Sequence, residues 1–213
     1  MRVSGKKTWR WLWCLAALVV LPAQAGNWIL ALSWAPGFCA THAEKRQCGD
    51  LADPQSFAAR HLTLHGLWPE AQNCPATPLR PGDLPAGLER VMPGVRDGLA
   101  EHEWRKHGSC SGMQPNAYFR QMMDLADRVN GSSLGRFLSA HAGARVTLDE
   151  LHAALTPDYA DGRRSVRFIC GGERLQEIRF YLNDWSSFLG KSGQAGLWRR
   201  AQGTDRCDDS VLL

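Results

Sequence analysis

Six cysteines spread over residues 39 to 207 constrain the fold of this chain more than any other feature of its sequence. They follow an amino-terminal segment of the export type, and an even number of cysteines in an exported chain predicts three disulfides. Six cysteines permit about 15 pairings, and their spacing alone does not choose among them. A zinc cluster is the competing interpretation, but the chain contains no CxxC or HxxxC pair.

The first 25 residues have the pattern of a secretory signal peptide. Four basic residues precede or open an apolar run from Trp11 to Leu21, and Ala23-Gln24-Ala25 supplies a small-x-small cleavage site. The run is too short for a stable membrane-spanning helix, which disfavours the alternative of a membrane anchor. We therefore expect residues 1–25 to be removed, residues 26–213 to form a single domain, and the protein to be periplasmic or secreted.

Removal of this segment changes the charge balance of the chain. The first 25 residues carry four of the 25 Lys and Arg and none of the 21 Asp and Glu, so the formal net charge falls from +4 to zero. A polyanionic partner would therefore have to be bound by a local cluster of cations rather than by a globally basic surface.

The irregular order of strand and helix patterns predicts an α+β domain with a mostly antiparallel sheet, stapled by disulfides. A Pro-rich surface loop is expected at residues 73–85, tied down by Cys74. Thr147 and Glu150 form a capping-box pattern for a helix that runs through Leu155. Periodicity predicts strands at 28–34, 62–68, 165–170 and 175–182, and further helices at 98–107 and 115–129.

Two short segments, residues 61–70 and 101–110, hold four of the seven histidines. In a helix over the second segment, Glu103 and His107 would share a face because they are four residues apart. His102 and Lys106 have the same spacing. A zinc-protease site is excluded here, because His102 and His107 are five residues apart and would diverge by roughly 140° around the helix axis.

Two imidazoles, a carboxylate and an ammonium suit the cleavage of a phosphodiester by a neighbouring hydroxyl. One imidazole takes the proton of the 2′-hydroxyl, and the other, as imidazolium, protonates the departing 5′-oxygen. A cation beside them stabilises the charge that builds up on the phosphoryl oxygens. DNA lacks the 2′-hydroxyl, so such a site would not cleave it.

The segments Thr63 to Pro69 and His102 to Cys110 resemble the two active-site signatures of the ribonuclease T2 family. The segment Trp28 to Cys39 also resembles the first strand and first cysteine of that family. The resemblance implies that His65 is the general acid and His107 the general base, although the sequence leaves an exchange of these roles open. It further implies that Glu103 and Lys106 polarise and stabilise the phosphate, and that His102 binds it.

The resemblance also implies substrate-binding positions and disulfide pairs. Trp68 matches a base-stacking position, with an ordinary core tryptophan as the alternative interpretation. Glu70 stands where family members often carry a base-contacting aspartate, which leaves the base preference open. The implied pairs are Cys39–Cys48, Cys74–Cys110 and Cys170–Cys207.

Together these features predict a ribonuclease T2-like endoribonuclease with one catalytic domain at residues 26–213. We expect a monomer that cleaves RNA to 2′,3′-cyclic phosphate ends without a metal or other cofactor, and without a membrane association after signal cleavage. Two alternatives remain for comparison. One is a secreted RNA-binding or toxin-like protein without turnover. The other is a metal-dependent phosphodiesterase, for which no acidic cluster with ligand spacing is visible.

Overall fold

The computed structural model of the chain describes residues 26–159, 162–183 and 200–213. The predicted signal peptide at residues 1–25 lies outside the described residues. Two strands from the amino-terminal third, β1 (Trp28–Ser33) and β2 (Thr63–Pro69), pair antiparallel with each other. Strand β1 also pairs antiparallel with β5 (Arg174–Leu182), so that residues far apart in the sequence meet on one sheet.

The sheet of the described residues is mostly antiparallel. Strand β4 (Val166–Gly171) pairs antiparallel with β5 on the side opposite β1. The short strands β3 (Arg145–Thr147) and β6 (Ser210–Leu212) pair antiparallel, and β6 meets the first residue of β5 in parallel. The strand order is β2-β1-β5-β6-β3, with β4 attached to β5. This arrangement confirms the predicted α+β class.

Helices cover the sheet and connect its strands. The long helix α5 (Pro115–Asn130) packs a stripe of apolar side chains, among them Tyr118, Phe119 and Met122, into the core against β1 and β2. Each large side chain buried in this way contributes about 1.5–3 kcal/mol to folding. The helices are α1 (Ala35–Cys39), α2 (Phe57–Arg60), α3 (Leu88–Val91), α4 (Leu99–Lys106), α5 (Pro115–Asn130), α6 (Ser133–Ala140), α7 (Leu148–Leu155) and α8 (Gly162–Ser165). Short 3₁₀ turns lie at Arg46–Ala52, Pro93–Asp97 and Gly108–Cys110.

Strand β2 contains a bulge at His65. Leu32 pairs with Leu64 and Ala31 pairs with Gly66, so His65 is the extra residue that has no partner on β1. In a regular strand His65 and Trp68, three residues apart, would point to opposite faces. The bulge reverses the alternation, so that Leu64 and Leu67 are both buried while His65 and Trp68 are both partly exposed and their rings are in contact.

Three disulfides join the pairs that the family resemblance implies: Cys39–Cys48, Cys74–Cys110 and Cys170–Cys207. The second of them fastens the Pro-rich loop to the residues that follow α4. Two hydrogen bonds reinforce this connection, from the Ser109 hydroxyl to the Cys74 carbonyl (3.1 Å) and from the Trp104 indole N–H to the Thr77 carbonyl (2.9 Å). The carboxyl-terminal end of α4 is therefore held from outside the helix.

Most sequence-based boundaries agree with the structure to within one or two residues. The capping box of Thr147 and Glu150 is present at the start of α7. Helix α4 ends at Lys106, one residue before the predicted end, and His107 leaves the helical conformation (φ −124°, ψ −53°). Helix α6 and the strands β3 and β6 were not predicted. Among the residues that the structure describes, no helix combines the length and the apolar character needed to cross a membrane.

The start of β2 is tied to the end of α5 by one side chain. The Asn130 Oδ1 atom accepts the Leu62 N–H (2.9 Å), and the Asn130 Nδ2 atom donates to the Leu62 carbonyl (3.0 Å). This connection lies three residues before His65, so it contributes to the placement of that side chain.

We expect Asn130→Ala to lower the free energy of unfolding by about 1–3 kcal/mol, because both backbone groups of Leu62 lose their partner. Urea denaturation followed by circular dichroism measures the loss. Asn116→Ala on the same helix is the matched control, since Asn116 bonds only the exposed Arg120 side chain, and its effect is expected to stay within about 0.5 kcal/mol. Equal losses in the two variants would contradict the role given to Asn130.

Candidate active site

The His65 imidazole lies between two buried carboxylates. Its Nδ1 atom is 2.5 Å from Oε2 of Glu177, and its Nε2 atom is 3.8 Å from Oε1 of Glu103. About a third of the side chain (33%) remains exposed. Burial lowers the pKa of His65, but the hydrogen bond to Glu177 and the negative charges of both carboxylates outweigh it, so the pKa is raised above its ordinary value of 6.5.

Glu103 lies on the inner face of α4 with only 1% of its side chain exposed. Its Oε2 atom accepts a hydrogen bond from the Trp68 indole N–H (2.8 Å). Burial raises its pKa to about 7, although His65, the Trp68 hydrogen bond and Lys106 act in the opposite direction. The carboxyl group of Glu103 is therefore protonated in a substantial fraction of molecules near neutral pH.

Close approach of α4 to β2 depends on a glycine between the two site residues of that strand. A Cβ atom at Gly66 would overlap both the Glu103 carboxylate and the Trp68 indole nitrogen. The absence of a side chain at this position lets the carboxylate reach the strand and accept the indole N–H. The rings of Trp68 and His107 stack, with 5.3 Å between their centroids, so Trp68 contacts residues of both signatures.

His107 lies just beyond the end of α4 and is almost fully buried. Its Nδ1 atom has no hydrogen-bond partner among the described residues. Burial, assisted by the positive charges of Lys106, His102 and His65, lowers the pKa of His107 to about 4. The two imidazoles of the cluster are therefore perturbed in opposite directions.

The two predicted phosphate-binding residues lie on α4 beside Glu103. His102 is half exposed (52%), and its Nε2 atom is 4.0 Å from Oε1 of Glu103. Partial burial and the charge of Lys106 lower the pKa of His102. Lys106 is the last residue of α4, and its side chain is partly exposed. The two side chains lie one helical turn apart, as their spacing predicts.

Glu70 takes a different place from the other predicted residues. It follows β2 on the exposed surface and accepts a hydrogen bond from the Asn27 side-chain amide (2.9 Å). The structure therefore brings together His65, Trp68, Glu103, His102, Lys106 and His107, and it pairs Glu70 with the residue before β1.

A cleft of about 510 Å³ opens beside this cluster. His65, His102 and Leu99 line it, together with the stacked rings of Phe38 and His42. An open cleft that borders perturbed titratable groups is the usual setting of a ligand site. Within the described part of the chain, no three His, Cys, Asp or Glu side chains are grouped so that they would hold a metal ion.

Two residues of the cluster were missed from the sequence, Glu177 and Arg179 on β5. The Glu177 Oε1 atom accepts a hydrogen bond from Nε of Arg179 (2.5 Å), and the Arg179 guanidinium lies over the Trp68 ring, 5.2 Å from its centroid. Glu177 is 112 positions away from His65 in the chain, so no local motif connects them. The strand also carries Arg174, Gln176 and Arg179, so its composition did not single out Glu177.

In this arrangement one imidazole, that of His65, favours its cationic form, and the other, that of His107, favours its neutral form. The carboxyl group of Glu103, whose pKa is raised, lies 3.8 Å from His65, and Lys106 directly precedes His107 in the chain. Such a set contains a proton donor, a proton acceptor and a cation, which a general acid–base reaction on an anionic substrate requires.

Comparisons with known proteins identify the family of the chain. The model of the ribonuclease T2 family matches residues 25–189, which include both signatures and β5 up to its end. The chain is 29% identical over 202 residues to ribonuclease I of Escherichia coli (strain K12), covering 73% of this chain and 75% of that protein. It is 36% identical over 124 residues to a probable ribonuclease of Haemophilus influenzae, covering 48% of this chain and 43% of that protein.

Solved structures share the fold at low sequence identity. The structure of RNase NT in complex with 5′-AMP superposes with a TM-score of 0.61 at 20% identity, covering 88% of this chain and 97% of that one. Ribonuclease MC1 from the seeds of bitter gourd superposes with a TM-score of 0.57 at 17% identity, covering 88% of this chain and 100% of that one. These structures support the fold, and the family model covers well over half of the sequence. The chain therefore belongs to the ribonuclease T2 family.

Proposed function

We propose that this chain is an endoribonuclease that cleaves single-stranded RNA by attack of a ribose 2′-hydroxyl on the adjacent phosphodiester. The observation that carries the proposal is the opposite perturbation of two neighbouring histidines, with the pKa of His65 raised and that of His107 lowered to about 4. Between these pKa values His65 is protonated and His107 is neutral, which is the state that an acid and a base require at the start of a reaction.

His107 is the general base and His65 the general acid in this proposal. The neutral His107 ring takes the proton of the 2′-hydroxyl as its oxygen bonds to phosphorus. The bond between phosphorus and the 5′-oxygen breaks, and the His65 imidazolium gives its proton to that oxygen. The products are a 2′,3′-cyclic phosphate end and a free 5′-hydroxyl.

Glu103 and Lys106 stabilise the charge that develops on the phosphoryl oxygens. A carboxylate would repel these oxygens, but burial raises the pKa of Glu103 to about 7. In the pH range where His107 is neutral and His65 protonated, Glu103 is therefore largely a neutral carboxylic acid, which donates a hydrogen bond. Lys106 adds a positive charge, and His102, half exposed beside it, contributes to phosphate binding.

Trp68 is the proposed base-stacking residue, through the part of its ring that His107 and Arg179 leave exposed, and Glu70 contributes to substrate binding from the exposed position after β2. Stacking on an aromatic ring tolerates different bases, so we propose low base specificity. An RNA-binding protein without turnover is not favoured, because the family consists of ribonucleases and binding alone does not require two histidines of opposite pKa.

We further propose that residues 1–25 direct export, that residues 26–213 form one catalytic domain, and that the protein acts as a periplasmic or secreted monomer without a membrane association. The signal-type sequence and three disulfides support export to an oxidising compartment.

The first test uses a DNA strand that contains a single ribonucleotide, incubated with the protein in excess EDTA. We expect cleavage only at the linkage on the 3′ side of that ribonucleotide, leaving a 2′,3′-cyclic phosphate, because only there is a 2′-hydroxyl adjacent to the phosphate. His65→Ala and His107→Ala are each expected to lower kcat by about 10²–10⁴-fold, the usual contribution of one acid or base. Mass spectrometry of the fragments identifies the ends.

His141→Ala is the matched control, because His141 is exposed and bonds the Phe137 carbonyl on α6, away from the cluster. Loss of cleavage in EDTA would contradict the metal-independent reaction. Cleavage at deoxynucleotide linkages would contradict the role of the 2′-hydroxyl, and full activity of either site variant would contradict the assigned residue.

The pH dependence of kcat/KM tests the assignment of acid and base. Because His107 must be neutral, activity is expected to rise as the pH passes its pKa of about 4. Because His65 must be protonated, activity is expected to fall as the pH passes its raised pKa, above 6.5. Steady-state rates on a dinucleotide substrate give the two limbs. A maximum at alkaline pH, above about 8, where an unperturbed imidazole is neutral, would contradict the acid role of His65.

A further inference from the structure

We propose that Glu177 is a positioning residue for the reaction, whose carboxylate holds Nδ1 of His65 so that Nε2 of the same ring presents its proton to the departing 5′-oxygen. This inference rests on the proposed function, since it assigns a partner to the residue that acts there as general acid. Neither active-site signature contains Glu177, which lies on β5.

The contact between the two residues is short and well supported. Nδ1 of His65 and Oε2 of Glu177 are 2.5 Å apart, and only 10% of the Glu177 side chain is exposed. A charge-assisted hydrogen bond of this kind fixes both the tautomer and the orientation of an imidazole. Once Nδ1 is engaged, Nε2 is the nitrogen that remains, and it is on the side of Glu103.

Arg179 holds Glu177 in turn. Its Nε atom donates to the other carboxylate oxygen of Glu177, and its guanidinium lies over the Trp68 ring. The carboxylate is thus fixed through both oxygens, one to the histidine and one to the arginine. Glu177, Arg179 and His65 all line the cleft, so this connection lies at the wall of the site and not in the distant core.

The bulge explains why His65 needs such support. As the extra residue of β2 it has no paired neighbour on β1, so cross-strand packing does not define its side-chain direction as it does for regular strand positions. By contrast, His107 is held by burial and by stacking on Trp68. An external partner from β5 supplies the missing constraint for His65.

Several charged groups face His65 and enter its titration. The charged and titratable groups on the packed elements are Glu177 and Arg179 on β5, Glu103 and His102 on α4, and His107 just after α4. Glu177, and Glu103 in its ionised form, favour the imidazolium, whereas Arg179 and the other two imidazoles, when charged, oppose it. Removal of the Glu177 charge takes away both the hydrogen bond and the nearer negative charge, so the acid would lose its proton at a lower pH.

The test compares Glu177→Gln with Glu173→Gln in the full mature chain. Glu173 stands just before β5, is exposed and pairs with Arg145, so its substitution is a matched control. With RNA, Glu177→Gln is expected to lower kcat by about 10- to 100-fold with KM within about threefold, since the acid is impaired and the binding groups remain. The alkaline limb of its pH profile is expected to move to lower pH. The control is expected to stay within about twofold of the parent protein on both measures.

A second substrate separates positioning from general damage to the site. In a uridine 3′-(4-nitrophenyl phosphate), the departing 4-nitrophenolate is a much weaker base than a ribose alkoxide and leaves without a proton. Glu177→Gln and His65→Ala are therefore both expected to cleave this substrate within about threefold of the parent rate, while His107→Ala remains impaired.

Three outcomes would overturn the inference. In the first, Glu177→Gln cleaves RNA at the parent rate and the alkaline limb of its pH profile is not shifted. In the second, its rate falls by the same factor on both substrates, which indicates a structural role only. If Glu177→Gln does not fold, Glu177→Asp takes its place, because it keeps the charge but withdraws it by one methylene. In the third outcome, Glu177→Asp cleaves RNA at the parent rate, which would overturn the inference. Failure of the proposed function is distinguishable, because the parent protein would then not cleave RNA, or His65→Ala would leave its cleavage unchanged.

Discussion

The bulge in β2 at His65 is the constraint on which the rest of the site depends. By adding one unpaired residue, it leaves both His65 and Trp68 partly exposed and in contact with each other, while Leu64 and Leu67 remain buried. Gly66, between the two site residues, leaves the space into which Glu103 enters from α4. A regular strand with the same residues would send either the imidazole or the indole into the core, and the contacts among β2, α4 and β5 would not form.

Burial then gives similar groups different protonation states. His107 is buried and has no carboxylate partner among the residues that the structure describes, so burial and neighbouring cations favour its neutral form. His65 is held by Glu177 and faces Glu103, so its cationic form is favoured in spite of burial. The same kind of desolvation that favours neutral His107 raises the pKa of Glu103 to about 7. One cluster thereby contains a base, an acid and a neutral hydrogen-bond donor in a single pH range.

The sequence predicts the parts of this arrangement that depend on local patterns. The capping box at Thr147, the two signatures and the strand periodicity are local, and the structure agrees with each of them closely. The bulge was not predictable, because it is defined by pairing with β1 rather than by the residues of β2. The contact from Glu177 to His65 joins positions 112 apart, and it requires β5 to lie beside β1. The end of α4 before His107 depends on the loop and disulfide that hold it.

The most direct test of this account is the titration of the two imidazoles in the free protein. Proton NMR of the ring C–H resonances, assigned with His65→Ala and His107→Ala, follows each histidine as the pH is changed. We predict that His65 titrates above its ordinary pKa of 6.5 and that His107 titrates at about 4. Titration of both rings near 6.5, or in the reverse order, would contradict the assignment of His65 as acid and His107 as base.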